Sequence, residues 1–241
     1  MPAGVLIVED ELEIAELIEF HLAKEGMTCS IVQSGRDALV EIRRSPPDLL
    51  VLDRMLPDVD GMDVCRKLKS DAATRDIPII MVTAKAEDAD IVSGIEVGAE
   101  DYVVKPFSPK VLVARCTSIL RRRSAFLAED EDSTGDRIAV LDDRLVVDTA
   151  RHEVKIDGEE IVLTQTEFGI LRYLVSRPGF VRSRDQIIAT VHGRSMVLST
   201  RTVDVHVTAL RRKLGTFATC IETVRGVGYR FSDRCSATMR D

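Results

Sequence analysis

The sequence predicts an α/β domain with a doubly wound parallel sheet, followed by a smaller α+β domain. In the first half, five short apolar runs alternate with stretches of helical period, an order typical of parallel βαβ units. The second half contains short strand-like runs, three helical stretches and a closing pair of strand-like runs. A polar, acidic segment, 124–136, lies between the halves and is typical of a linker.

The first half predicts five βα units and therefore five parallel strands. Strands are predicted over 4–8, 29–32, 48–52, 77–82 and 101–104, and helices over 12–24, 35–44, 60–69, 87–97 and 108–122. A flavodoxin-like sheet of this kind has the strand order 2-1-3-4-5. It binds ligands outside the carboxyl ends of its strands, so the residues that follow each strand are the candidates for a site.

Turn and cap signals organise the second half. Asp157-Gly158 has the chemistry of a tight hairpin turn, and Thr164 with Glu167 has the spacing of a capping box that opens a helix. A short helix over 184–191 precedes a longer one that Gly215 ends. Two strand-like runs around a glycine-rich turn then close the chain. Three helices followed by a hairpin are typical of a winged helix-turn-helix.

The charge distribution predicts different tasks for the two halves. The chain of 241 residues has a net charge of −7, yet residues 1–123 carry −6 and residues 165–232 carry +7. A basic segment of this kind favours a polyanion such as DNA as its partner. The sequence contains no run of membrane-spanning length and no basic region before its first apolar stretch. We therefore expect a cytoplasmic protein without a membrane partner.

The five cysteines are scattered and form no CxxC pair. We expect them to be free thiols in a reducing cytoplasm. They are Cys29, Cys65, Cys116, Cys220 and Cys235.

Polar residues follow four of the predicted strands. Glu9 and Asp10 follow the first strand, Asp53 the third, Thr83 the fourth and Lys105 the fifth. Carboxylates held close together repel one another, and a hard cation such as Mg²⁺ relieves that repulsion. The set fits phosphoryl transfer onto Asp53, after which Lys105 and Thr83 can bind the new phosphoryl oxygens.

The segments VEDE, LDRMLPDVDG, VTA and VVKPFSP resemble the signatures of a bacterial two-component receiver domain, over residues 4–122. The resemblance implies that Asp53 is the phosphoacceptor and that a sensor histidine kinase supplies its phosphoryl group. It also implies Mg²⁺ on Asp10, Asp53 and the Met55 carbonyl, with Glu9 acting mostly through water. Such a receiver catalyses only its own phosphorylation and dephosphorylation, so we do not expect an enzyme.

The same resemblance implies two conformational features. The peptide bond Lys105-Pro106 is expected to be cis, which is inexpensive only before proline. Tyr102 matches an aromatic residue that turns inward when the Thr83 hydroxyl moves to the phosphoryl group.

The helix in RTVDVHVTALRRKLG predicts a DNA-binding element. One face carries a stripe of buried apolar residues, namely Val203, Val207, Leu210 and Leu214, while the remaining faces are mostly basic. This pattern suits a helix that is docked on a scaffold and presented to a major groove. An arginine at the following glycine-rich turn, Arg225, can enter a minor groove.

Residues 137–232 resemble the winged-helix output domain of the OmpR/PhoB subfamily, through LTQTEFGIL, RPGFVRSRDQI, RTVDVHVTALRRKLG and TVRGVGYRF. The resemblance implies phosphate contacts by Arg201, His206 and Arg211, base-edge contacts by Asp204 and Val205, and a minor-groove contact by Arg225. It also implies that the loop over 192–200 touches RNA polymerase. Thr208 and Ala209 stand where related proteins often carry arginines, which predicts a different DNA sequence and weaker binding.

Members of this subfamily commonly dimerise when activated, through the helix predicted over 87–97, the following strand and the helix after it. Here an expected Arg–Glu pair is replaced by Ile91 and Val111, whereas Asp101 and Arg115 persist. We expect a homodimer interface that is more apolar and less sensitive to salt than usual.

The predicted organisation is a receiver at 1–123, an acidic linker at 124–136, a winged-helix domain at 137–234 and a tail at 235–241. The function predicted for it is a phosphorylation-dependent transcriptional regulator that dimerises and binds tandem half-sites on double-stranded DNA.

Three alternatives remain. The first is a constitutive DNA binder whose receiver serves only for dimerisation. The second is a haloacid-dehalogenase-like phosphatase, which usually has a second aspartate where Met55 stands. The third is a phosphorelay carrier, which needs no DNA-binding half.

Overall fold

The chain forms two compact units, Met1–Arg121 and Arg122–Asp241, and each is described by itself. The computed structural model describes residues 2–84, 97–129, 137–191 and 200–235, with backbone only for 122–129 and 200–201. Most of the helix predicted over 87–97 and of the predicted polymerase-contacting loop lies outside these residues. No helix among the described residues is both long and apolar enough to cross a membrane.

The first unit contains a five-stranded parallel sheet in the predicted order, β2-β1-β3-β4-β5. Its strands are β1 (Gly4–Val8), β2 (Thr28–Val32), β3 (Leu49–Asp53), β4 (Ile79–Thr83) and β5 (Asp101–Val104). Its described helices are α1 (Leu12–Lys24), α2 (Gly35–Arg44), α3 (Gly61–Ser70) and α4 (Pro109–Glu129), the last of which continues past Arg121. The predicted fold class of this unit is confirmed.

Burial explains why the sheet is doubly wound. Every residue of β3 and β4 is buried, as expected for central strands that are covered on both faces. Alternate residues of the sheet join two separate apolar clusters, one beneath α2 and α3 and the other beneath α1 and α4. Side-chain caps fix where two helices begin: Ser34 accepts from the Asp37 amide, and Asp60 accepts from the Met62 amide.

Helix α4 is longer than the sequence predicted. It continues to Glu129, although the prediction ended it at residue 122 and began the linker at residue 124. The residues Ala125, Leu127, Ala128 and Glu129 have high helix propensity, and this propensity is sufficient to continue a helix already nucleated upstream.

In residues 137–191 and 200–235, the second unit combines two antiparallel sheets with three α-helices. One sheet has the order β6 (Arg137–Val140), β7 (Leu145–Asp148), β8 (Glu153–Ile156) and β9 (Glu159–Ile161), and the other is β10-β12-β11. The helices are α5 (Gln165–Val175), α6 (Arg184–Val191) and α7 (Thr200–Leu214). A 3₁₀ helix (Gly215–Cys220) follows, and β11 (Ile221–Val224) and β12 (Gly228–Phe231) form the closing hairpin; β10 is Arg182–Ser183.

The local signals of the second unit form the predicted structures. Asp157 and Gly158 have φ values of 51° and 87°, as a two-residue hairpin turn with both φ positive requires. The Thr164 hydroxyl accepts from the Glu167 amide, and the Glu167 carboxylate accepts from the Thr164 amide, which completes the capping box. The predicted apolar stripe of α7 is part of a single buried core, in which all four of its members are buried.

The prediction that all five cysteines are free thiols is wrong. Cys220 and Cys235 form a disulfide with their Cα atoms 5.3 Å apart, whereas Cys29, Cys65 and Cys116 are free. The two bonded cysteines lie 15 residues apart in the sequence, and the β11–β12 hairpin between them returns the chain to its starting point. Sequence spacing alone does not reveal such a pairing.

Candidate functional site

The parallel register brings the predicted strand-end residues to one edge of the first sheet. Val8 pairs with Leu52, Asp53 pairs with Val82, and Thr83 pairs with Val104, so the residues that follow β1 and β5 lie beside the end of β3. Lys105 is placed there by a backbone hydrogen bond of 2.7 Å from its amide to the Thr83 carbonyl. The bond between Lys105 and Pro106 is cis, as predicted.

Lys105 links the two buried carboxylates of this edge. Its Nζ lies 2.6 Å from Asp53 Oδ2 and 2.7 Å from Glu9 Oε1, and Glu11 Oε1 is farther away at 3.7 Å. Burial disfavours the lysine charge, but the hydrogen bonds to Asp53 and Glu9 outweigh it and raise the pKa of Lys105. The ammonium is therefore held charged between two acids.

Glu9, Asp10 and Asp53 each place a carboxylate oxygen within 4.8 Å of the other two. Burial raises the pKa of Glu9 to about 7; the bond from Lys105 opposes this rise and the Asp53 charge adds to it. These three carboxylates carry more negative charge than one lysine compensates. Such a cluster of hard oxygen donors fits a divalent cation of the Mg²⁺ type. The residues therefore fit the predicted metal.

We expect the stability of the metal-free protein to fall as the pH rises through about 7. The folded-state pKa of Glu9 lies above the ordinary value of 4.5. Its contribution to stability is therefore fully present below pH 4.5 and is lost as the pH rises through the folded pKa. The loss between pH 6 and 8 is about 1 kcal/mol of unfolding free energy. Denaturant unfolding in a chelator, across a pH series, measures it.

The matched variants for this measurement are Glu9→Gln and Glu13→Gln. The first removes the buried acid, so its stability should be nearly flat between pH 6 and 8. The second changes an exposed acid of α1 and should follow the wild type. A wild-type profile without slope, or equal slopes for both variants, would contradict the assignment of the raised pKa to Glu9.

The loop after β3 orients the Asp53 carboxylate from the other side. The Met55 amide donates to Asp53 Oδ1 at 2.9 Å, so Lys105 and this amide engage different oxygens of the same carboxylate. Asp58 anchors the loop to the start of α2, because its two oxygens accept from the Gly35 and Arg36 amides at 2.9 and 3.0 Å. The amide of Gly35 is also the main reason that the pKa of Asp58 is lowered.

Two residues of this loop were missed by sequence reasoning. Asp58 looks like an ordinary loop acid, and its pairing with α2 is a contact between residues that are distant in sequence. Gly61 lies against the end of β3, where an added Cβ would approach the Asp53 carbonyl oxygen to 2.2 Å. The one feature of the sequence that could have indicated this close approach is a glycine directly after Asp60, at the start of α3.

The predicted switch residues are buried. Thr83 ends β4 with no exposed surface, and Tyr102 is 7% exposed. The Tyr102 hydroxyl is buried and has no hydrogen-bond partner among the residues that the structure describes. The movement of Tyr102 that the receiver resemblance implies stays a prediction.

The predicted dimer residues are only partly described. Asp101 is buried and accepts a hydrogen bond from Arg115 of the same chain, while Val111 is 39% exposed at the start of α4. Ile91 lies outside the described residues. The structure thus places the Asp101–Arg115 pair within one chain, and the dimer interface stays a prediction.

The predicted DNA-contacting residues occupy different environments. Val205, His206 and Ala209 of α7 are buried, Asp204 and Arg211 are half-buried, and Thr208 and Arg225 are exposed. The side chain of Arg201 lies outside the description. The DNA contacts of all these residues stay predictions.

Arg211 and Asp204 are engaged in holding α7 to the closing hairpin. The Arg211 guanidinium donates to the Ile221 carbonyl at 2.6 Å and to the Thr223 hydroxyl at 2.8 Å. Asp204 accepts from Arg184 and from the Tyr229 hydroxyl, both at 2.6 Å. The position of the hairpin relative to α7 is thus set by charge-assisted hydrogen bonds.

Arg225 extends from this scaffold. It lies in the turn between β11 and β12, where Gly226 has a φ of 74° and the Val227 amide donates to the Val224 carbonyl. Its exposure at the tip of a fixed hairpin is the geometry that a minor-groove contact needs. We call residues 221–231 the wing.

Comparison with protein families matches both units. Residues 5–117 match the response regulator receiver domain, and residues 158–231 match the C-terminal domain of transcriptional regulatory proteins. The sensory transduction protein RegX3 of Mycolicibacterium smegmatis is 43% identical over 94% of this chain and 98% of its own length. The phosphate regulon regulator PhoB of Pseudomonas aeruginosa is 39% identical over 95% of this chain and 97% of its own length.

The chain belongs to the OmpR/PhoB subfamily of response regulators. It is a phosphorylation-dependent transcriptional regulator. Among solved structures, the Thermotoga maritima OmpR/PhoB homolog DrrB is 28% identical with a TM-score of 0.51, over 96% of this chain and all of DrrB. A RitR mutant is 27% identical with a TM-score of 0.69, over 96% of this chain and 99% of its own.

Membership of this subfamily also decides against two of the three alternatives that the sequence left open. The phosphatase and phosphorelay-carrier alternatives do not account for the match of residues 158–231 to a transcriptional regulatory domain. The constitutive DNA binder is addressed by experiment below.

Proposed function

We propose that Asp53 is the phosphoacceptor of this response regulator and that a sensor histidine kinase is its donor. The observation that carries the proposal is the single lysine bound to both Asp53 and Glu9 at the strand ends. In the transfer, an Asp53 oxygen forms a bond to phosphorus while the bond from phosphorus to the kinase histidine nitrogen breaks. The receiver thus assists only its own phosphorylation and, with water as acceptor, its own dephosphorylation.

Each residue of the site has a proposed task. Lys105 offsets the charge of the acidic cluster and then donates to a phosphoryl oxygen, as does the Thr83 hydroxyl. The Met55 amide holds Asp53 Oδ1, so the attacking oxygen would be Oδ2, which becomes available as Lys105 transfers its hydrogen bond to a phosphoryl oxygen. Mg²⁺ would be held by Asp10, Asp53 and the Met55 carbonyl, with Glu9 acting mostly through water, and it would neutralise charge on donor and acceptor.

Phosphorylation would control assembly and DNA binding. The phosphoryl group adds a charge of about −1.5 to −2 at Asp53, which biases the receiver, through Thr83 and Tyr102, toward a second conformation. The proposed consequence is a homodimer formed through the surface that includes Ile91, Asp101, Val111 and Arg115. The dimer places two winged helices on tandem half-sites of double-stranded DNA in the cytoplasm. The loop at 192–200 would contact RNA polymerase.

Two linked measurements test it. The purified protein is incubated with Mg²⁺ and acetyl phosphate, and intact-protein mass spectrometry should detect one added phosphoryl group, which Asp53→Asn abolishes. Genome-wide footprinting should then show occupancy that is lost in Asp53→Asn. The matched control is Asp63→Asn, the same change at an exposed position of α3, which should behave as the wild type.

The outcomes separate the alternatives. Phosphorylation without any change of occupancy between the wild type and Asp53→Asn would favour the constitutive DNA binder. A phosphoryl group that persists in Asp53→Asn would place the acceptor elsewhere and overturn the assignment of Asp53.

A further inference from the structure

The Cys220–Cys235 disulfide closes a covalent loop around the wing. Cys220 ends the 3₁₀ helix directly before β11, and Cys235 lies four residues after the end of β12. The whole β11–β12 hairpin, including Arg225 at its tip, therefore lies between the two bonded residues. Both cysteines belong to the core of the second unit, Cys220 fully buried and Cys235 partly buried.

The backbone holds the two cysteines together without the sulfur–sulfur bond. The Ser232 amide donates to the Cys220 carbonyl at 2.7 Å, which extends the β11–β12 ladder by one step beyond the Ile221–Phe231 pair. The Gly179 amide donates to the Phe231 carbonyl, also at 2.7 Å, and fixes the end of β12 from the other side. Reduction would therefore leave the thiols close to each other, so the bond can form again.

The pair differs in chemistry from the other cysteines. Burial raises the pKa of Cys29 and of Cys65 to about 11, and it raises the pKa of the fully buried Cys116 still further. Since only the thiolate is an efficient nucleophile, these three thiols react slowly. Cys235, by contrast, is partly exposed and joined to a neighbouring sulfur, which gives an external thiolate a point of attack.

We propose that Cys220 and Cys235 form a reversible thiol–disulfide switch that controls how firmly the wing is held. The proposal takes the cytoplasmic location from the proposed function, because disulfides in a reducing compartment are usually transient and redox-sensing. In the oxidised state, the bond closes the open end of the hairpin. In the reduced state, no covalent bond joins Cys235 to the base of the wing. The backbone hydrogen bonds keep the two thiols close to each other, but the wing opens more often.

The reaction balances with a low-molecular-weight thiol as reductant. An external thiolate attacks the Cys235 sulfur, and the Cys220 sulfur leaves as a thiolate that takes up a proton. A second external thiolate attacks the outer sulfur of the mixed disulfide and releases Cys235. Two external thiols become one disulfide while the protein gains two thiols, and the reverse reaction uses a low-molecular-weight disulfide as oxidant.

The chemical half of the proposal is tested by alkylation and peptide mass spectrometry on the full chain. The protein is equilibrated in buffers of oxidised and reduced glutathione, and Cys29→Ser serves as the matched control. We expect residues 220 and 235 to change from bonded to alkylated together, in one two-electron transition, in both proteins. If Cys220 and Cys235 remain alkylatable in oxidised glutathione, the disulfide does not form and the proposal is wrong. If the bond persists in reduced glutathione, it is not reversible and does not act as a switch.

The structural half is tested by hydrogen–deuterium exchange of residues 221–231. Reduction should speed amide exchange there by about tenfold, because an opening that the bond prevents becomes available. The variant with both Cys220→Ser and Cys235→Ser should exchange at the fast rate in either buffer, whereas Cys29→Ser should follow the wild type. An exchange rate unaffected by reduction would mean that the bond does not control the wing. No readout uses DNA or phosphate, so failure here is distinct from failure of the proposed function.

Discussion

Replacing Gly61 with alanine is expected to displace the end of β3 and to abolish phosphoryl uptake by Asp53. An alanine Cβ would lie 2.2 Å from the Asp53 carbonyl oxygen and 2.8 Å from the Arg54 Cα. Both neighbours are backbone atoms, so no side-chain rotation relieves the clash. Overpacking of this kind costs about 1–3 kcal/mol or more, and we expect a loss at the upper end of that range.

The displacement should also be visible in the chemistry. The Asp53 carboxylate is held between Lys105 and the Met55 amide by bonds of 2.6 and 2.9 Å, and a shift of about 1 Å is enough to break that alignment. Denaturant unfolding measures the stability, and mass spectrometry after incubation with acetyl phosphate and Mg²⁺ measures the uptake.

Gly26→Asn is the matched control for this prediction. Gly26 also lies in the first unit, but it has a φ of 82° and no atom within 4 Å of an added Cβ. Asparagine tolerates that backbone conformation better than other residues, so its stability should stay within about 1 kcal/mol of the wild type and its uptake should be normal. A Gly61→Ala protein with the stability and phosphorylation of the wild type would show that the end of β3 is not constrained at this point.

That the strand-end residues lie together could be predicted because the sheet topology determines where they meet. Once five apolar runs are assigned to a doubly wound parallel sheet, the residues after each strand must meet at one edge. Glu9, Asp53 and Lys105 then come together regardless of the details of packing. The same logic placed the apolar stripe of α7 in the core, since a period of 3 and 4 residues fixes the buried face of a helix.

What could not be predicted depends on contacts between residues that are distant in sequence. Nothing local marks Asp58 as the anchor of the loop after β3, because its partners are amides at the start of α2. The pairing of Cys220 with Cys235 likewise depends on how far the hairpin returns the chain. The resemblance to the OmpR/PhoB output domain implies a phosphate contact by Arg211, yet its guanidinium donates to the Ile221 carbonyl of β11.

Replacing Arg225 or Arg211 with alanine is expected to have different consequences. Arg225 is exposed at the tip of the wing, so Arg225→Ala should weaken DNA binding by about tenfold, corresponding to about 1.4 kcal/mol, without lowering stability. Arg211→Ala removes three hydrogen bonds between α7 and β11, so it should lower the stability of the second unit and loosen the wing. Fluorescence anisotropy with a footprinted duplex measures binding, and denaturant unfolding measures stability.

The salt dependence of binding distinguishes a direct contact from a scaffold effect. An Arg225 side chain in the minor groove places one positive charge among the phosphates, so Arg225→Ala should reduce the slope of log K against log salt by about 0.9. The matched control is Arg172→Ala, which removes an exposed arginine of α5 and should change neither stability nor slope. Wild-type affinity and slope in Arg225→Ala would contradict a wing contact with DNA. Weakened binding with unchanged stability in Arg211→Ala would instead return Arg211 to the phosphate contact predicted from the sequence, because its bonds to β11 would then contribute nothing measurable to the fold.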